Sequence, residues 1–310
     1  MIKSKALALN QEETVHMNTP KGTLIAIGGN ELKKFRKTDE SFHSHFGEGF
    51  ILQDIINNSN LSNPRIEVIT SASEIPLIVG EKYKESFSRL GVDNVGILDI
   101  RERDEANDSL NLDRINGADI ILFSGGDQSK ISRIIKDTLM HKLIIKRYQN
   151  EKFTIAGTSA GAVVMSDEMI SGGRNGTIIR KHDLKMGTGL GLMPGIIFDS
   201  HFINRRRFGR LAEAAALYPD KLGVGLGEDT GVLIKDGNIL EVVGSGIVIV
   251  FDASNLSFNQ YDKLKDRVPI SLANLTVHIL ATKDRYNIRD KTVTVHYDTR
   301  HHKPEVKESA

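Results

Sequence analysis

No stretch constrains this chain more than Phe153 to Met165, FTIAGTSAGAVVM, where one short apolar run ends at a glycine-flanked serine and a second begins. Phe153, Ile155 and Ala156 read as a buried strand, and Ala160, Ala162, Val163, Val164 and Met165 as a helix able to pack on a sheet. Between them, Gly157-Thr158-Ser159-Ala160-Gly161 fits the G-x-S-x-G elbow, a strained turn that lifts one hydroxyl above the sheet while small neighbours let strand and helix approach. The free N–H groups at the next helix N-terminus, its positive dipole end, suit an oxyanion. Glycine-rich corners also bind phosphate or serve close packing alone. A serine nucleophile therefore requires a base, an orienting acid and oxyanion donors from elsewhere in the chain.

The remaining chain has room to supply them. Its 310 residues, 39% hydrophobic, suffice for one large α/β domain or two small ones. A formal net charge of +1 gives no overall field for nucleic acid or an anionic membrane, so neither is expected as a partner. Cysteine is absent, which excludes a thiolate nucleophile, disulfides and cysteine zinc sites. No run approaches the roughly eighteen apolar residues of a membrane span, and Met1 to Gly22 lacks a secretory apolar region. The expectation is a soluble cytoplasmic protein with one hydrolytic α/β domain over 22–300, a mobile N-terminal extension over 1–21 and a mobile tail over 301–310.

Thr23 to Ile27 reads as a first buried strand, followed by Gly28-Gly29-Asn30. This turn lacks both the G-x-G-x-x-G spacing and a Walker lysine, so it reads as a sheet-edge loop near the active site rather than a phosphate loop. The polar segment Glu31 to Glu48 contains His43 and His45, which read as solvated histidines; no metal is expected. From Phe50 onward, helices (Ile51 to Ile56, Ile75 to Leu90) alternate with strands (Ile66 to Thr70, Val95 to Ile100). That alternation argues for a doubly wound, mostly parallel sheet covered on both faces. Ile120 to Phe123 then runs into Ser124-Gly125-Gly126-Asp127-Gln128, and Ile131, Ile134, Ile135 and Leu139 mark one face of a single long helix ending before Glu151. In such a sheet, ligands collect at the carboxyl ends of strands, so the corners at Gly126 and Ser159 are expected to face one crevice. The N–H groups of Gly126 and Ala160 are the oxyanion-hole candidates, and Gln128 is a candidate for orienting substrate.

Ser171 to Pro194, with six glycines, reads as loop. Ile196 to Phe202 is a strand-like run that delivers His201, and Arg205, Arg206, Arg207 and Arg210 open a helix running through Tyr218. Cations in a first turn oppose the helix dipole, so these arginines read as a carboxylate-binding cluster. Leu222 to Gly227 leads to Glu228, and Ile239 to Tyr297 reads as antiparallel strands closing one edge of the sheet, with His278 and His296 as structural residues. The candidates thus come in the order Ser159, His201, Glu228, which is not the serine, acid, histidine order of an α/β-hydrolase.

Four blocks taken together, Ser124 to Gln128, Gly157 to Ala162, Asp199 to Phe202 with Arg205, Arg207 and Arg210, and Gly227 to Thr230, resemble the cyanophycinases of peptidase family S51, which also holds aspartyl dipeptidase. The resemblance covers Thr23 to Asp252 and implies a class I glutamine amidotransferase-like, flavodoxin-like fold. It implies Ser159 as nucleophile, His201 as base and Glu228 as its acid, with Gln128, Asp199, Ser200, Arg205, Arg207 and Arg210 in substrate contact and no cofactor. The arginines would hold a carboxylate, and Asp199 would hold a guanidinium. The implied substrate is cyanophycin, a polyaspartate with arginine joined through each side-chain carboxyl, degraded to β-Asp-Arg by a homodimer; the arginine cluster beside His201, able to hold a terminal carboxylate, predicts cleavage from the carboxyl end. Ser200 stands where cyanobacterial members are expected to carry glutamine. The alternatives are an aspartyl dipeptidase and a non-catalytic binding protein on the same fold.

Overall fold

The computed structural model describes residues 19–31, 50–174, 176 and 178–297. His43 and His45, most of the N-terminal extension (1–18) and the tail (301–310) lie outside the described residues.

The first half alternates as its periodicity suggests: β1 (Thr23–Ile27), α1 (Phe50–Ser59), β2 (Ile66–Ile69), α2 (Pro76–Arg89), β3 (Val95–Leu98), α3 (Ser109–Asn116), β4 (Ile120–Phe123), α4 (Gln128–Ile135), α5 (Leu139–Asn150), β5 (Thr154–Thr158) and α6 (Ala160–Val163). The proline at the start of α2 sits where a helix has no N–H to lose. Strands β1, β5, β4, β2 and β3 lie side by side and parallel. Because strand side chains alternate between faces, Ile25 and Ile27 pack with Ile51, Leu52 and Phe87 of α1 and α2 on one side. Leu24 and Ala26 pack with Ile131, Ile135 and Ile144 of α4 and α5 on the other.

The second half adds β6 (Glu168–Gly173), β7 (Leu184–Thr188), β8 (Ile196–Asp199), α7 (Phe208–Leu217), β9 (Leu222–Leu226), β10 (Thr230–Lys235), β11 (Ile239–Gly244), β12 (Val248–Asp252), β13 (Phe258–Asn259), β14 (Leu272–Ala273), β15 (Thr276–Leu280), β16 (Arg285–Asn287) and β17 (Thr292–Thr294). Antiparallel β10, β11, β16 and β17 extend the main sheet beyond β1, giving, among the described residues, nine strands in the order β17-β16-β11-β10-β1-β5-β4-β2-β3. A separate four-stranded sheet has the order β15-β12-β9-β8, with β8 and β9 parallel. One face of it joins the main core through Phe198, Val224 and Val250. Its other face, at Ile197 and Phe251, is covered by Leu211, Ala214 and Ala215 of α7.

Four local expectations change. Ser171–Pro194 is not simply loop: β6 and β7 form an antiparallel hairpin with an irregularity between Ile170 and Gly172, where glycines had masked the pairing signal. The single long helix before Glu151 is two, broken where Asp137 takes φ 63 and the Thr138 hydroxyl caps α5 by accepting from the His141 N–H. The helix expected to open on the arginine run begins only at Phe208. The late strands do not all close one edge, since β12 pairs with β9 in the second sheet and β15 pairs in turn with β12. Among the described residues no helix is long and apolar enough to cross a membrane.

Candidate active site

Three strand ends meet at the exit of β1. The main sheet delivers Ser159 from β5, and the second sheet delivers His201 just beyond β8 and Glu228 just beyond β9. Each corner carries a non-glycine residue in the left-handed region: Ser159 at φ 52, His201 at φ 48 and Asp229 at φ 51. Such residues cost on the order of 1 to 2 kcal/mol each and persist only where the surroundings hold them. Here three successive carbonyls hold them. The N–H of Ser159 donates to Ile27 O at 2.9 Å, that of His201 to Gly28 O at 2.8 Å and that of Asp229 to Gly29 O at 2.8 Å. The glycine turn expected near the site is thus the bracket on which both sheets register their corners.

Glycine is required in that bracket. A Cβ on Gly28 would stand 1.9 Å from Gly227 O, and one on Gly29, at φ +105, would stand 2.4 Å from His201 Cε1. The elbow is equally close-packed, since a Cβ on Gly157 would meet Gly161 O at 2.3 Å.

The side chains then line up. Ser159 Oγ lies 3.0 Å from His201 Nε2, and His201 Nδ1 lies 2.8 Å from Glu228 Oε1. The carboxylate holds the ring proton on Nδ1 and leaves the Nε2 lone pair facing the serine hydroxyl. Burial lowers the His201 pKa below its ordinary 6.5; the Glu228 hydrogen bond opposes that fall, and the nearby Arg205 charge adds to it. The neighbouring acid, Asp229, accepts from Ser245 Oγ at 2.6 Å. Gly126 at φ +144 and Ala160 at the first position of α6 present N–H groups with no backbone partner among the described residues.

A cavity of about 310 Å³ opens onto this line. Gly125, Ser159 and His201 line it together with Glu31, Lys82 and Tyr83. The residues expected to touch substrate are placed differently, for none of Gln128, Asp199, Ser200, Arg205, Arg207 or Arg210 lines this cavity. Asp199 is fully buried and accepts from Arg207 Nη1 at 3.0 Å, Arg210 Nε at 2.7 Å and Arg210 Nη2 at 2.5 Å. A buried carboxylate needs compensation, and here the chain's own arginines provide it. Arg210 is correspondingly buried rather than open to a ligand, and Arg207 also donates to Ser200 O at 2.6 Å. Ser200 is itself buried. Gln128, half-buried, donates to Ile170 O at 2.7 Å, and Arg205 is exposed. Among the described residues no three His, Cys, Asp or Glu side chains converge as a metal set.

Sequence reasoning missed Glu31 and Tyr83. Glu31 stands directly after Gly28-Gly29-Asn30, an acid at the mouth of a buried strand, and reads as part of the polar segment that follows. Tyr83, in register with Phe87 on α2, carries only the signal of a core residue.

Known proteins resemble this chain in sequence and in fold. The profile of peptidase family S51 matches residues 41–242. A cyanophycinase of Trichormus variabilis is 35% identical over 286 residues, covering 91% of this chain and 92% of that protein. A cyanophycinase of Geminocystis herdmanii is 34% identical over 267 residues, covering 86% of this chain and 94% of that protein. The crystal structure of a peptidase from an acI-B1 actinobacterium shares the fold, with a TM-score of 0.57 at 18% identity, covering 86% of this chain and 98% of that one.

Proposed function

The chain belongs to peptidase family S51, and from that premise we propose that it is a serine hydrolase of the cyanophycin backbone, releasing β-Asp-Arg from the carboxyl end. The observation that carries the reading is the unbroken line from Ser159 Oγ through both nitrogens of His201 to Glu228, 3.0 Å and 2.8 Å, at the edge of a cavity large enough for a substrate side chain.

Ser159 Oγ attacks a backbone carbonyl as its proton passes to His201 Nε2, and Glu228 stabilises the imidazolium. The N–H groups of Gly126 and Ala160 receive the negative charge that develops on the carbonyl oxygen, each worth about 10²- to 10³-fold in rate. His201 returns the proton to the departing amine, then takes one from the water that opens the ester. The depressed His201 pKa favours this cycle, because it keeps the base neutral at neutral pH.

With Arg207 and Arg210 engaged by Asp199, the terminal-carboxylate role falls to Arg205, whose guanidinium is exposed beside His201. The test is a time course on a short synthetic cyanophycin peptide against the same peptide amidated at its backbone carboxyl terminus. Stepwise release of β-Asp-Arg from the free acid, with slow turnover of the amide, is expected. Equal rates on both, with mid-chain fragments first, contradict the reading. The same resemblance extends the proposal to a homodimer, which light scattering checks; a cytoplasmic location, proposed from the apolar pattern of the sequence, is checked by cell fractionation.

A further inference from the structure

Glu31 is not used by the mechanism above. Its side chain lines the cavity, yet the residue is only 5% exposed. One carboxylate oxygen accepts from the hydroxyl of Tyr83, and the other is 2.7 Å from the hydroxyl of Thr158, the residue immediately before the nucleophile. Burial first, then the Glu31 charge and hydrogen bond, raise the Tyr83 pKa well above its ordinary value, so the phenol stays protonated as a donor. Two hydroxyl partners occupy two of the roughly four lone-pair sites of a carboxylate and supply no positive charge. No cation pairs with Glu31 among the described residues; Lys82, which also lines the cavity, is exposed at its rim. A carboxylate desolvated to this degree without a counter-charge is costly, unless a ligand supplies one.

We propose that Glu31, held in place by Tyr83, determines specificity by receiving the guanidinium of the arginine-bearing side chain on the residue whose carbonyl Ser159 attacks. The inference rests on the hydrolytic reading of the same cavity. Lone-pair sites left open on a fixed carboxylate suit the forked N–H donors of a guanidinium, and contact with Thr158 sets that fork one residue from the nucleophile. The sequence of charges, acid at the floor and Lys82 at the rim, also matches a side chain that ends in a guanidinium and carries its own carboxylate nearer the backbone.

The test is a cycle of enzyme and substrate changes. A short cyanophycin oligomer is compared with one in which citrulline, neutral and isosteric, replaces every arginine, using the unmodified enzyme and Glu31→Gln. The unmodified enzyme is expected to favour the arginine oligomer by about ten- to a hundredfold in kcat/KM, and Glu31→Gln to bring that ratio within about threefold of one. A ratio unchanged by the substitution overturns the proposal, whether the variant stays fully active or loses both substrates equally through the elbow. If the unmodified enzyme cleaves neither oligomer, the hydrolytic reading beneath it fails as well. Should Glu31→Gln not fold, Glu31→Asp, which keeps the charge but withdraws it by one methylene, must lower the arginine preference.

Discussion

Gly29→Ala isolates the idea that the exit of β1 sets the catalytic geometry. The added Cβ would stand 2.4 Å from Cε1 and 2.6 Å from Nε2 of His201, about 1.0 Å and 0.8 Å inside the 3.4 Å at which ordinary contact begins. The ring has nowhere to retreat, being held at 2.8 Å by Glu228 and at 3.0 Å by Ser159. If the loop moves instead, Gly29 O carries the Asp229 N–H, and with it the Glu228 corner. Either response misplaces a catalytic group by close to an ångström, which typically costs about 10²-fold in rate. Alanine at φ +105 adds about 1 to 2 kcal/mol of backbone strain. Expected, therefore, are a folded protein with a lowered Tm and kcat for β-Asp-Arg release reduced about a hundredfold, read by calorimetry and product chromatography. Gly91→Ala is the control, since it adds the same kind of strain at φ +84 with nothing within 4 Å of the new Cβ. It should lower Tm alone. Gly29→Ala with kcat within threefold of the unmodified enzyme, or Gly91→Ala losing as much kcat, would refute the bracket argument.

Three further outcomes follow from the charges. Because turnover needs neutral His201 and burial depresses its pKa, kcat/KM should rise with pH through a midpoint below 6.5, and Arg205→Ala should move that midpoint upward by removing a cation that lowers it; a midpoint above 6.5 in the unmodified enzyme contradicts the assignment. Asp199→Asn leaves Arg207 and Arg210 buried without their carboxylate and should cost about 3 to 5 kcal/mol, a Tm fall of roughly 5 to 10 °C, whereas a raised KM at unchanged Tm would return Asp199 to substrate recognition. Asp54 has its pKa raised from 3.8 to about 6 by burial and by Glu241, so the fold loses stability as pH rises from about 4 to about 6 and does not regain it above. Asp54→Asn should gain about 1 kcal/mol at pH 7.5 after solvent screening, with no gain by pH 4, as differential scanning calorimetry reads.

The elbow was legible because its evidence is local: Phe153, Ile155 and Ala156 before Gly157, and alanines after Ser159, leave little but a strand turning into a helix. The order Ser159, His201, Glu228 was equally open to inspection, since each stands at the end of an apolar run. What the sequence hid was non-local or carried by backbone. Gly28 and Gly29 act through their carbonyls, which have no side-chain signature. The split into two sheets depends on β9 pairing with β8 and β12 rather than with β10, the strand that follows it, and periodicity does not report that. The arginine run has a partner inside the chain that spacing does not show. Cations at the start of α7 do require a carboxylate, and the chain supplies Asp199 from β8. Glu31 was hidden by its polar surroundings, because one buried acid at the head of a charged segment looks like any solvated one.

The central claim, that Ser159 cleaves the cyanophycin backbone, is met most directly by mass analysis of products from purified cyanophycin incubated with the unmodified protein and with Ser159→Ala. A small residue still fits the elbow, and loss of a serine nucleophile cost about 10⁶ in kcat in a subtilisin series. The account predicts β-Asp-Arg from the unmodified protein and none above background from a folded Ser159→Ala; β-Asp-Arg at a comparable rate from both would contradict it.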